Sequence, residues 1–226
     1  MNTHFFELRK RIIYIMFFCI VIFSVFFYYS DIVYDLFSLP IKSQLPIGSS
    51  IIATNVTSTF LVPLKLSFNL ALLVCLPYFI FNLWGFIAPG LYRHEKIFVK
   101  PFLFFSIFLF FIGISFAFYV ICPLALNFFM TCSPSNVVVM ISINNYIEFM
   151  TSVILACGIS FQIPLVIYFL TYAGIVEKKD FVEKRSYVII FAFILGMLLT
   201  PPDVVSQVLL AIPIWLLFEL GLFFSK

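Results

Sequence analysis

The chain alternates between long apolar runs and short polar segments, and this pattern predicts six membrane-spanning helices. A helix needs about 20 apolar residues to cross a hydrocarbon core of about 30 Å. The predicted helices cover residues 12–29, 58–88, 101–130, 145–172, 187–200 and 204–224. The fifth is the shortest, and at 1.5 Å per residue it would extend about 21 Å, less than a full span.

The polar segments between these helices are short. Residues 2–11 form a head that is compatible with a helix, because Glu7 and Arg11 have the i, i+4 spacing of a helical ion pair. Pro89 and Gly90 end the second apolar run, since Pro lacks an N–H and Gly accepts a helix-ending conformation. The remaining segments are predicted to be loops or turns, with short helical turns in the first: residues 31–57, 132–144 and 177–185.

The composition points to lipid as the solvent. Of the 226 residues, 64% are apolar and only 10% are charged, and a soluble domain of this length could not bury so much apolar surface. The sequence therefore predicts an all-α integral membrane protein with one domain over residues 1–226. The basic residues 9–11 precede an apolar run as in a signal peptide, but no small-residue cleavage site follows, so we expect a retained first helix.

The distribution of Lys and Arg predicts the orientation. If successive polar segments lie on alternate sides, one side receives eleven of the 13 basic residues, and the other receives Lys42 and Lys65. Basic residues concentrate on the cytoplasmic side of membrane proteins. Six spans with both termini in the cytoplasm are therefore predicted.

No catalytic motif is present: GxSxG, HExxH and a glycine-rich phosphate loop are all missing, so we predict that the protein is not an enzyme. The five cysteines form no CxxC pair and no Cys/His cluster, and neither a metal nor another cofactor is predicted. Nothing in the charge pattern suggests a nucleic-acid partner.

Isolated polar residues in or beside the apolar runs are the candidates for function, because lipid makes them costly. Glu219 either reaches water near the end of the sixth helix or faces a partner. Gln162 either satisfies a carbonyl freed by Pro164 or lines a polar pocket. Asp203 is suited to cap the sixth helix, and Glu148 is interpreted as interfacial.

The junction at residues 81–96 is the most unusual segment. Glu95 is the only acid between Asp35 and Glu148, and it follows directly after the predicted helix end. From spacing alone, Glu95 is explained as a solvated charge paired with Arg93 or Lys96. A single carboxylate among cations in so apolar a chain also suggests a binding role.

These residues resemble the TatC family of the twin-arginine protein translocase over nearly the whole chain. HFFELRKR at residues 4–11 resembles the family's amino-terminal H-x-x-E-L-R-x-R signature, and WGFIAPGLYRHE resembles its first cytoplasmic loop. GISFQIP resembles its helix 4 motif, and TPPDVVSQ with the following AIP resembles its last turn and helix. All four motifs occur in the family's order.

The resemblance implies a receptor that binds twin-arginine signal peptides of folded proteins at the cytoplasmic face and mediates their export, driven by the proton motive force. It implies TatB-like and TatA-like partners, self-association in a multi-copy complex, contact with membrane lipid, and a place in the cell inner membrane. Glu95 would be the principal contact of the arginine pair and Glu7 would assist. The full signal-peptide set is Glu95, Glu7, Arg93, Phe86 and Arg9. The intramembrane polar or partner contacts are Gln162, Glu219, Asp203 and Pro40.

The family's fold is a concave, glove-like bundle with short helices 5 and 6. Its helix 4 position is often a glutamate, whereas this chain has Gln162, so a role that needs a titrating proton does not carry over. The main alternative is a small secondary transporter or channel with a polar path lined by Gln162, Glu148 and Glu219; a scaffold bundle without a ligand is a third reading. A transporter would usually show repeat symmetry, and none is found.

Overall fold

The computed structural model describes residues 2–42, 50–53, 57–87, 96–132, 140–199 and 204–225. Helices dominate this part of the chain. In chain order they are α1 Asn2–Tyr28, α2 Ser30–Lys42, α3 Ser58–Ile87, α4 Lys96–Phe116, α5 Cys122–Thr131, α6 Ile143–Ser160, α7 Ile163–Tyr172, α8 Lys178–Glu183, α9 Arg185–Leu199 and α10 Val204–Phe224. Two three-residue strands, β1 Ser50–Ile52 and β2 Met140–Ser142, pair in parallel.

Five stretches of the described chain are long and apolar enough to cross a membrane. In addition, there is one shorter apolar helix. The five are Arg9–Tyr28, Phe60–Leu83, Pro101–Thr131, Ile143–Tyr172 and Val204–Phe224, and the short one is Arg185–Leu198. The predicted six apolar helices are therefore present. The fifth has fifteen residues, Arg185–Leu199, or about 22 Å of helix.

Two of the long spans are interrupted beside a proline. Pro164 has no N–H to donate to the carbonyl four residues earlier, and the helix breaks at residues 161–162 between α6 and α7. Pro123 stands second in α5, directly after a π-helical turn, Ala117–Ile121, that joins α4 to α5. The predicted helices over 101–130 and 145–172 are thus each divided.

The sequence prediction underestimated helix in two polar segments. Residues 30–42 form α2 rather than a loop: Asp31 stands in its first turn, where an acid complements the helix dipole, and Phe37 and Ile41 are buried on one face. In the predicted turn at 177–185, α8 begins with a capping box in which Glu177 and Asp180 bond reciprocally to backbone N–H groups.

The chain divides into two compact units. In the first, Met1–Leu39 with Ala53–Ile107, α1 packs along α3, and the rings of Phe18 and Tyr78 lie 4.8 Å apart. The prediction of one domain over the whole chain stays a prediction.

The second unit comprises Pro40–Ile52 with Phe108–Lys226, and α10 packs against both α7 and α9 in it. Its buried clusters are Ile167 with Phe218 and Leu222, and Ala192 with Ala211 and Ile214.

Candidate functional site

The amino-terminal head is a continuation of the first membrane helix. Because α1 begins at Asn2, Glu7 and Arg9 stand in its first turns, before the apolar part of the helix. Glu7 lies one turn before Arg11, on the same face of α1, and the side chain of Arg9 is exposed.

Arg11 connects this head to the end of α3. Its Nη1 donates a hydrogen bond to the carbonyl of Asn82 at 3.0 Å, and its Nη2 donates to the carbonyl of Gly85 at 3.3 Å. Both acceptors lie in the last two turns of α3, which ends at Ile87. The first turns of α1 and the last turns of α3 are therefore held side by side.

The predicted signal-peptide residues are only partly placed. Phe86 stands in the last turn of α3, just after the carbonyl that Arg11 contacts. Glu95 and Arg93 lie outside the described residues, as does the predicted helix end at Pro89 and Gly90. Their role at this site stays a prediction.

Gln162 lies at the break between α6 and α7. Its backbone N–H donates to the carbonyl of Ile159, its carbonyl accepts from Val166, both at 3.0 Å, and its side chain is half-buried. The backbone N–H and carbonyl of Gln162 therefore stay hydrogen-bonded at the break beside Pro164.

Glu219 forms an ion pair near the end of α10. Arg185 Nη2, at the start of α9, donates to Glu219 Oε2 at 2.9 Å, and the two side chains are 47% and 29% exposed respectively. Lys178 Nζ donates to the carbonyl of Ser225 at 2.7 Å, just beyond α10. Lys178, Arg185 and Glu219 line an open groove of about 450 Å³ whose apolar walls include Leu216.

The other intramembrane candidates are not gathered into one site. Glu148 is exposed near the start of α6, and about 20 Å of helix separates it from Gln162. Pro40 is half-buried within α2, and Asp203 lies outside the described residues. Among the described residues, no group of three His, Cys, Asp or Glu is arranged to hold a metal ion.

The sequence did not predict the contacts of Lys178 and Arg185, and for Arg11 it predicted only a pairing with Glu7. For Arg185 and Glu219 a sequence indication exists, because they lie at comparable distances before and after residues 200–203, whose prolines predict a turn. An antiparallel helix pair brings such positions to the same level. The carbonyl acceptors of Arg11 and Lys178 have no comparable indication.

Comparison with known proteins identifies the family. A family model described as "Sec-independent protein translocase protein (TatC)" matches residues 3–213. Proteins named "Sec-independent protein translocase protein TatC" are similar over 99% of this chain: that of Escherichia coli K12 is 46% identical, with 87% of its own length covered, and that of Haemophilus influenzae is 42% identical, with 88% covered.

Solved structures give the same answer. The chain matches the "Crystal Structure of Twin Arginine Translocase Receptor- TatC" with a TM-score of 0.90 and 33% identity, over 98% of this chain and 97% of that one. A second structure of that receptor, in DDM, matches with a TM-score of 0.89 and 32% identity, over 99% of both chains. The prediction of an all-α, multi-pass membrane protein is confirmed. By sequence and by fold, the chain belongs to the TatC family of protein translocase components.

Proposed function

We propose that the protein is the signal-peptide receptor of a twin-arginine translocase in the bacterial inner membrane. It binds the consecutive arginines of signal peptides on folded proteins at the cytoplasmic face and mediates export driven by the proton motive force. The observation that carries the proposal is the match to the TatC receptor structure over 98% of the chain at a TM-score of 0.90.

Glu95 is the principal contact of the arginine pair and Glu7 assists. A carboxylate accepts two parallel N–H bonds from a guanidinium, an arrangement that a lysine ammonium does not offer. An exposed ion pair contributes only about 0–1 kcal/mol. Recognition therefore also needs apolar contact, for which Phe86 is suited, and Arg9 and Arg93 complete the proposed surface.

The protein works in a complex with TatB-like and TatA-like membrane subunits and with further copies of itself. The polar residues Gln162, Glu219, Asp203 and Pro40 are the proposed partner contacts outside the signal-peptide surface. Gln162 and Glu219 are both partly exposed, which leaves them accessible to another membrane helix. The transporter or channel alternative is not favoured, because the family match names a protein translocase.

The first test replaces the principal carboxylate. We expect Glu95→Gln to reduce export of a twin-arginine reporter at least tenfold, since the amide keeps the size of the side chain and loses the charge that pairs with a guanidinium. The measurement is the exported fraction of the reporter in cells with equal amounts of inserted protein. Glu183→Gln is the matched control, because Glu183 is an exposed acid at the end of α8, and normal export is expected.

Export by Glu95→Gln at the unmodified level would contradict the assignment. A second measurement is photo-crosslinking of a twin-arginine peptide to probes placed beside Glu95 and Glu7, compared with a twin-lysine peptide. Equal crosslinking of both peptides would also contradict it. Solute uptake by the protein alone in proteoliposomes would instead support the transporter.

A further inference from the structure

The guanidinium of Arg11 joins two helices that are far apart in the sequence. Its two terminal nitrogens donate separately to the carbonyls of Asn82 and Gly85, at 3.0 and 3.3 Å. Within the same unit, the ring contact of Phe18 with Tyr78 lies about two turns further along α1. Arg11 therefore joins the third turn of α1 to the last two turns of α3.

The end of a helix is a favourable place for this contact. Gly85 lies in the last turn of α3, where carbonyl groups lack intrahelical partners and the helix dipole favours a cation, and Asn82 lies one turn earlier. A guanidinium presents several donors in a fixed plane, so one side chain reaches two carbonyls at once. A lysine in its place would offer a point charge without that fork.

The local sequence of α3 makes room for the guanidinium. A Cβ atom on Gly85 would lie 2.7 Å from Nη1 of Arg11, closer than a normal contact, so the glycine provides the space that the fork occupies. The amide of Asn82 donates back to the carbonyl of Tyr78 at 2.8 Å. This bond turns the Asn82 side chain along α3 while its backbone carbonyl receives Arg11.

We propose that Arg11 is a positioning residue for the signal-peptide surface, a step that rests on the proposed function. It fixes the first turns of α1, which carry Glu7, against the last turns of α3, from which the chain continues to Glu95. The two carboxylates are more than 80 residues apart in the sequence, and the Arg11 contacts link the helix that carries Glu7 to the end of the helix that precedes Glu95. Arg11 acts on recognition through this spacing and does not touch the peptide.

The competing explanation is that Arg11 only anchors α1 at the membrane surface by extending toward lipid headgroups. Anchoring at the lipid surface would need only the positive charge of Arg11. Positioning the two helices needs both guanidinium nitrogens that donate to the carbonyls of α3. Lys10 offers a matched control, because it carries the same charge one residue earlier, is exposed, and its Nζ lies 5.9 Å from the ring centre of Tyr14.

The test compares Arg11→Gln, Arg11→Lys and Lys10→Gln in the full-length protein. The distance between the helix ends is measured by pulsed electron paramagnetic resonance, with spin-labelled non-canonical residues at the exposed positions Phe6 and Leu83. Binding of twin-arginine and twin-lysine peptides is measured on the unlabelled variants. We expect Arg11→Gln to broaden the distance distribution and to weaken twin-arginine binding about tenfold, because peptide binding would then have to order the two helix segments that the charged hydrogen bonds no longer hold together.

The expected pattern is specific to positioning. Arg11→Lys should give an intermediate distance distribution and intermediate twin-arginine binding, Lys10→Gln should change neither, and twin-lysine binding should stay the same in all variants. An unchanged distance distribution in Arg11→Gln and Arg11→Lys would overturn the proposal. A changed distance with unchanged twin-arginine binding would overturn it too. If the unmodified protein bound both peptides equally, the proposed function would fail, while the distances would still decide whether Arg11 holds the helices.

Discussion

Three basic side chains in the described part of the chain contact polar groups near the carboxyl end of another helix: Arg11, Lys178 and Arg185. Arg11 bonds to carbonyls near the end of α3, and Lys178 bonds to the carbonyl of Ser225 beyond α10. Arg185 pairs with Glu219 in the last turns of α10. Besides the orientation that their distribution predicts, these basic residues therefore contribute hydrogen bonds near the carboxyl ends of helices.

The strength of the Arg185–Glu219 ion pair decides whether Glu219 mainly stabilises this chain or remains available to a partner. Both partners are partly exposed, so water and salt screen their attraction, and we expect a coupling energy below about 1 kcal/mol. The measurement is a double-mutant cycle of Arg185→Gln and Glu219→Gln, read as unfolding free energy in detergent at low and high salt.

A coupling of several kcal/mol that does not change with salt would contradict this expectation, because it would indicate a buried pair. Glu183→Gln with Arg185→Gln forms the comparison cycle, since Glu183 is exposed on the adjacent α8. A weak pair would leave the Glu219 carboxylate available to a partner subunit at little cost.

The helices that were predicted well are the ones with a continuous apolar pattern. The sixth predicted helix, 204–224, has the bounds of α10, and the second, 58–88, differs from α3 by one residue. In the sequence, these apolar runs are bounded by strong helix breakers, Pro202 before the sixth and Pro89 after the second, which is why local chemistry predicts both limits closely.

The elements that the sequence did not predict depend on contacts outside their own segment. The sequence predicted a loop instead of α2 because Pro40 is typical of turns. The helix is nevertheless favoured, because it buries Ser38 and Ile41 on one face. The β1–β2 pair joins residues 90 positions apart, with Ser50 opposite Met140, and three-residue strands leave no periodic pattern. The break at Pro164 could be predicted only in part. The sequence shows the proline, but packing decides whether a proline kinks a helix or interrupts it.

At the element scale, the close approach of α7 and α10 depends on Gly221. A Cβ added there would lie 2.9 Å from both the Cα of Pro164 and the Cδ1 of Ile167. A backbone atom cannot yield as a flexible side chain can, and small residues allow such approaches between membrane helices. We expect Gly221→Ala to lower the unfolding free energy by about 1–3 kcal/mol, the usual cost of overpacking.

The measurement is thermal unfolding of the detergent-solubilised protein. Leu220→Met is the control, because Leu220 is the neighbouring residue on an exposed face of α10 and the change conserves volume. If Gly221→Ala unfolded at the same temperature as the control, α7 and α10 would not approach as closely as described.

At the scale of the whole molecule, the number of apolar helices and the distribution of charge together predict the orientation. If the five long spans and the short Arg185–Leu198 all cross the membrane, the even number places both termini on one side. The excess of basic residues predicts that this side is the cytoplasm. Glu7 and Glu95 are then expected on the side from which signal peptides arrive, which the proposed function requires.

This orientation makes a prediction that the native cysteines test. Cys132 is exposed just after α5 and is predicted to face the outside, while Cys75, Cys122 and Cys157 are buried. We therefore expect a membrane-impermeant maleimide to label Cys132 on intact spheroplasts, and Cys132→Ser to remove that labelling. As the opposite control, Glu183→Cys in the Cys132→Ser background should react only after the membrane is permeabilised, because α8 belongs to the predicted cytoplasmic side. Labelling of Cys132 that requires permeabilisation would reverse the orientation and place the proposed receptor surface on the side of the membrane that precursors reach only after transport.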